Sequence, residues 1–76
     1  MTRYIRMIKY QLPAKSKVAL TIYDILGKEV TKLVDKEQEA GKYEVKFNSG
    51  RLASGVYVYR IKAGEFMMSK KMILIK

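Results

Sequence analysis

The sequence predicts an all-β domain, an antiparallel sandwich of six to seven short strands. Three observations carry that reading. Apolar and polar residues alternate with period two in several separate segments, the pattern of a strand with one buried face. Clusters of Pro, Gly, Asn, Asp and Ser divide those segments at short intervals, as in small all-β domains. The stretch Leu52-Ala53-Ser54-Gly55-Val56-Tyr57-Val58-Tyr59-Arg60-Ile61-Lys62 begins as a turn and becomes the clearest strand of the chain. It is filled with the β-branched and aromatic residues that suit a pleated, half-buried surface.

Taken in order, residues 4–12 place Ile8, Tyr10 and Leu12 on one face and Lys9 and Gln11 on the other. Pro13 ends this strand because it has no N–H to donate. The short connection that follows predicts an antiparallel neighbour at residues 17–23, with Val18, Leu20 and Ile22 inward and Lys17, Ala19, Thr21 and Tyr23 outward. Asp24-Ile25-Leu26-Gly27-Lys28 reads as a turn, since an Asp side chain bonds the backbone ahead of it. Residues 29–40 admit two readings. Val30, Leu33 and Val34 fit helical spacing, but the apolar stripe stops at Val34. A strand at 29–34 followed by a polar loop at 35–41 is the favoured assignment.

Residues 42–47 alternate cleanly, with Tyr43, Val45 and Phe47 against Lys42, Glu44 and Lys46. Asn48-Ser49-Gly50-Arg51 is a loop, and Leu52 inside it is expected to plug the open end of the sandwich. In the central strand Tyr57, Tyr59 and Ile61 share a face, opposite Val56, Val58, Arg60 and Lys62. Gly55, just before, permits a sharp entry into the strand. Residues 62–65 form a hairpin turn. Residues 66–75 are the last strand, with Met72 and Leu74 on one face and Ile73 and Ile75 on the other. An apolar run on both faces predicts a strand covered on both sides or a partner surface.

The chain has 76 residues and is read as one domain, 1–76, with residues 1–7 as an atypical N-terminal extension. A domain of this size buries only about 60% of its unfolded surface. With neither Cys nor His in the sequence, no disulfide staples it and the usual transition-metal ligands are missing. No apolar run reaches the length of a transmembrane helix, and Met1–Met7 does not form a secretory leader.

The net charge is +9, and its placement is uneven. Residues 1–23 carry Arg3, Arg6, Lys9, Lys15 and Lys17 without an acid, and residues 66–76 carry Lys70, Lys71 and Lys76 without an acid. Terminal strands lying side by side would make one strongly positive region. That region suits a polyanion, while the plainer reading is that Lys on edge strands blocks edge-to-edge pairing.

The residues for catalysis are not assembled. Catalysis needs a tuned acid or base, an activated nucleophile or a metal, and Ser69-Lys70, the one Ser–Lys pair considered, are strand neighbours that point to opposite faces. The chain is therefore read as a non-enzyme with no cofactor. Asp35, Glu37 and Glu39 alternate as Ca²⁺ ligands can, but lack the turn glycine of a calcium loop; they read as a solvated acidic segment.

Several segments, in order and spacing, resemble the type A C-terminal sorting domain of the type IX secretion system. They are Tyr10-Gln11-Leu12-Pro13, Val18 through Val30 with Tyr23-Asp24-Ile25-Leu26-Gly27-Lys28, Leu33-Val34-Asp35, Ala40-Gly41, Leu52 through Arg60, and Lys70 through Lys76. The resemblance spans about residues 8–76. It implies an immunoglobulin-like sandwich and a sorting role. An attached cargo protein from Bacteroidetes or a related phylum would cross the periplasm, meet the outer-membrane secretion machinery and its sortase, and reach the cell surface or medium. The recognition elements it implies are Gly55 and Tyr57, and the terminal strand Lys71, Met72, Ile73, Leu74, Ile75 and Lys76, at the C-terminal end where such signals lie. Members of the family open with an Asn-Pro-rich segment, whose place is taken here by Met1–Met7.

Two other function classes remain open on sequence. A small basic domain binding nucleic acid or an anionic glycan needs exposed aromatics beside cations; only Tyr4 and Tyr23 fall outside predicted core faces, which makes nucleic acid the weaker reading. A self-associating sandwich would form a homodimer by pairing or exchanging its terminal edge strands.

Overall fold

The computed structural model describes residues 5–75. Tyr4 and Lys76, both singled out above, and residues 1–3 lie outside the described residues. Six strands follow one another: β1 (Ile5–Leu12), β2 (Ser16–Asp24), β3 (Glu29–Gln38), β4 (Gly41–Asn48), β5 (Gly55–Ala63) and β6 (Phe66–Leu74). They form two antiparallel sheets, one of order β1-β4 and one of order β3-β2-β5-β6.

The pairing is that of an immunoglobulin-like sandwich. In that plan strand B pairs with strand E in one sheet, and C′, C, F and G run side by side in the other. Here β1 and β4 take the places of B and E, and β3, β2, β5 and β6 those of C′, C, F and G. Strands A and D have no counterpart among the described residues.

The core lies between the sheets, and β2 is its centre. Val18, Leu20 and Ile22 are the largest fully buried side chains, as their alternation predicts, each contributing about 1.5–3 kcal/mol of burial. Ile61 and Tyr57 from β5, Met72 and Leu74 from β6, and Val34 from β3 lie on the same sheet. Ile8, Leu12 and Phe47 close the core from the β1-β4 sheet. Leu52 packs against this cluster from its loop, as expected of a plug.

Two expectations are corrected. Residues 4–12 and 17–23 are not hydrogen-bonded neighbours: β1 pairs with β4, and β2 pairs with β3 and β5. Leu12 and Val18 are both buried, on opposite walls of the core, so the connection at residues 13–15 crosses from one sheet to the other. Pro13 cannot donate the bond that would carry the ladder into a hairpin. Residues 35–41 are also not a polar loop, because β3 continues to Gln38. Its far half is a polar edge strand with Asp35, Lys36 and Glu37 exposed, so apolar alternation fades where pairing persists. Glu37 pairs in register with Lys17 and Asp35 with Ala19.

The β2–β3 hairpin is set by Asp24. Its carboxylate Oδ1 accepts from the backbone N–H of both Leu26 and Lys28 at 2.9 Å. The Asp24 N–H donates to Lys28 O at 2.9 Å and Gly27 N–H donates to Asp24 O at 3.0 Å. Gly27, at φ 85°, supplies the left-handed residue that closes a three-residue hairpin loop.

Candidate recognition site

The turn into β5 is held by one side chain. The ring of Tyr57 is buried in the core, and its hydroxyl donates to the Ala53 carbonyl at 2.8 Å. A strand-F tyrosine bonded to backbone a few residues upstream is the tyrosine corner of immunoglobulin-like sandwiches. Gly55 lies midway, at φ 156°. A Cβ there would meet nothing within 4 Å, so the demand for glycine comes from the backbone angle and not from crowding. Asn48 Oδ1 accepts from Gly50 N–H at 2.9 Å, and Leu52 N–H donates to Ser49 O at 3.0 Å, which orders the loop leading in.

The β5–β6 register joins the two sequence-predicted elements. Gly55 lies opposite Leu74 and Tyr57 opposite Met72. The tyrosine corner and the terminal strand are thus one contiguous structure. Within it the predicted residues divide. Tyr57, Met72 and Leu74 are buried, whereas Lys71, Ile73 and Ile75 face solvent, Ile75 at 84% exposure. Lys76 lies outside the described residues. The terminal strand is therefore covered on its Met72–Leu74 face and open on its Lys71–Ile73 face.

Among the described residues β6 is also the outer strand of its sheet, with one edge unpaired. Beside that edge runs a groove of about 390 Å³, walled by β1 through Arg6, Met7 and Ile8 and by β6 through Lys70, Lys71 and Ile73. The Arg6 guanidinium spans it and donates to the Ile73 carbonyl. The terminal strands do lie side by side, and the cations differ in their company. Lys9 pairs with Glu44 at 3.6 Å, Lys15 with Glu37 and Glu39 at 3.7 and 3.6 Å, and Lys17 with Asp35 at 3.5 Å. Arg6, Lys70 and Lys71 have no such carboxylate partner among the described residues. Of the terminal-strand cations, these three stand together at the groove.

Asp35, Glu37 and Glu39 spend their charge on those lysines. No group of three potential metal ligands occurs among the described residues. No helix of the described residues is long and apolar enough to cross a membrane. Tyr23 is half-buried with the Arg60 guanidinium 4.9 Å from its ring centre, so its face is already occupied. Phe66, expected on a core face, is instead exposed beside the β5–β6 turn, where it lines a surface pocket with Leu12 and Pro13.

Arg6 and Lys70 were named on sequence only as terminal-strand cations, not as recognition residues. A signal for Arg6 was there: it shares strand parity with Ile8, Tyr10 and Leu12, so a cation stood in line with an inward-facing row. Lys70 likewise shares parity with Met72 and Leu74.

The family model described as a secretion system C-terminal sorting domain matches residues 4–76. No curated protein and no solved structure matches the chain.

Proposed function

This chain belongs to the family of secretion-system C-terminal sorting domains, the sorting signals of type IX secretion, and from that premise we propose how it acts. It is a non-catalytic module that routes an attached cargo protein through the outer-membrane machinery to the cell surface or medium. Transit through the periplasm and removal by a sortase belong to the same proposal. The recognised surface is the exposed side of the terminal strand, Lys71, Ile73 and Ile75; Lys76, outside the described residues, belongs to the proposed signal by sequence. Gly55, Tyr57, Met72 and Leu74 act by holding that strand in place. The observation that supports this reading most is the register of Gly55 against Leu74 and Tyr57 against Met72, which makes one unit of corner and tail.

The test is a fusion of residues 1–76 to the C-terminus of a periplasm-directed fluorescent reporter, in a host with a working type IX system and in one without its translocon. Deleting residues 71–76 would remove Met72 and Leu74 from the core and unfold the domain. The informative variant changes only exposed side chains, Lys71→Glu with Ile73→Ser and Ile75→Ser. Export of the parent fusion only with a working translocon, and periplasmic retention of the folded variant, is the expected result. Retention of the parent fusion in a folded state would refute the sorting role. Export of the variant at the parent level would refute the assignment of the surface.

A further inference from the structure

We infer that the groove between β6 and β1 takes an extended, acidic segment of a partner protein, added to the β6 edge that is unpaired among the described residues. The inference deepens the proposed sorting role and rests on it for the importance of the terminal strand. Its physical basis is separate.

The first basis is the unpaired backbone. In an antiparallel ladder the N–H and C=O of one residue point to the same side, and successive residues alternate. The Ile73 carbonyl accepts from Arg6 across the groove, so Ile73, and by alternation Lys71 and Ser69, turn their backbone groups away from β5. Added strands use such groups for affinity, as in donor-strand complementation of incomplete immunoglobulin-like domains.

The second is the apolar character of this edge. The other outer strand of this sheet, β3, carries Lys32, Asp35, Lys36 and Glu37, with ion pairs to Lys17 and within the strand. Mixed charge of this kind blunts an edge. β6 carries Lys70 and Lys71, which oppose pairing with a like cationic edge, and beside them it exposes Phe66, Met67, Met68 and Ile73.

The third is charge. β6 contains no acid, and the groove is walled by Arg6, Lys70 and Lys71 without a carboxylate. A second copy would bring the same cations against them, which disfavours pairing of like edges. An acidic strand complements them. Nucleic acid would need stacking faces in the groove; its one aromatic wall, Tyr59, is half-buried.

The probe is a fluorescein-labelled peptide of about ten residues alternating Val and Glu, the length of a long strand. Its binding to the 76-residue chain is followed by anisotropy and by amide hydrogen exchange. Controls are a Val–Lys peptide, a Val–Glu peptide broken by a central Pro-Gly, and oligo-dT. Only the unbroken Val–Glu peptide is expected to bind, slowing exchange at the Ser69, Lys71 and Ile73 amides. Lys71→Pro, which removes an edge donor that β5 does not use, should weaken binding by roughly tenfold or more, as should the Lys70→Glu, Lys71→Glu double variant. Should Lys71→Pro fail to fold, the charge reversal and the exchange pattern still decide. Equal binding of the broken or Val–Lys peptide, binding of oligo-dT alone, or a chain dimer that excludes the peptide overturns the inference. The same variants in the reporter fusion separate the two readings: export without peptide binding refutes strand addition alone, and peptide binding without export refutes the sorting role alone.

Discussion

The Tyr57 hydroxyl donates to the Ala53 carbonyl at 2.8 Å, across a turn whose midpoint is Gly55. The bond and the backbone angle are separable. Tyr57→Phe keeps the ring in the core and loses only the bond, so it should cost about 1 kcal/mol. Tyr57→Ala also empties the site and should cost about 3–5 kcal/mol, as for other large aromatic truncations. Gly55→Ala meets no steric neighbour, but its φ of 156° puts an L-residue in a sparsely populated region, at about 1–3 kcal/mol. Urea unfolding of the three variants measures all of these. A neutral Tyr57→Phe would mean that the corner does not support the terminal strand.

Asp24 organises the β2–β3 hairpin through two backbone donors on one oxygen. Asp24→Ala leaves both N–H groups to solvent and should cost about 1–2 kcal/mol. Asp24→Asn keeps an oxygen acceptor and should cost less. In a domain this small about 1 kcal/mol moves Tm by roughly 4–8 °C, so thermal melts resolve the difference. Equal losses from the two would mean that the charge, not the acceptor geometry, holds the turn.

These two turns were legible in the sequence because each depends on local chemistry: an Asp before Gly27, a Gly two residues before Tyr57. The inward rows of β2, β4 and β5 were legible for the same reason, since period-two alternation is a one-strand property. What was not legible is pairing. Pro13 announces an end without saying which sheet the chain enters next, and β1 finds β4 across a sequence gap that no local pattern encodes. The far half of β3 was hidden because a polar edge strand and a polar loop have the same composition; only the pairing of residues 16–19 with residues 35–38 distinguishes them. For the candidate site, the resemblance pointed to residues 71–76, while the residues alone showed only a strand apolar on both faces; Arg6 joins it only through the sandwich.

Burial separates two leucines of equal hydrophobicity. Leu20 is fully buried at the centre of β2, whereas Leu26 is 89% exposed in the hairpin loop. Leu20→Ala should cost about 2–5 kcal/mol, a large share of the stability of a chain whose whole margin is of order 5–15 kcal/mol or less. Leu26→Ala should stay within about 0.5 kcal/mol of the parent. Denaturant midpoints test the pair, and a large effect at Leu26 would mean that the loop packs onto something.

Tyr10 gives the domain an alkaline limit. Its ring stacks on Tyr43, with centroids 5.2 Å apart, and its hydroxyl donates to Gln38 Oε1 at 2.5 Å, tying β1 to β3 across the sandwich. Burial raises the phenol above its ordinary value near 10; the Gln38 bond lowers it and the Tyr43 hydroxyl raises it, with burial the largest effect. The folded state therefore holds this proton more tightly than the unfolded state does. Its contribution is complete below the ordinary phenol value, about pH 10, and is lost as pH rises through the higher folded value. Urea midpoints taken between about pH 9 and about pH 11 should fall for the parent and fall less for Tyr10→Phe. The phenolate absorbance of the folded parent should contain a component, missing from that variant, that titrates above the ordinary range. Parallel pH dependence in parent and variant would show that Tyr10 is not the group responsible.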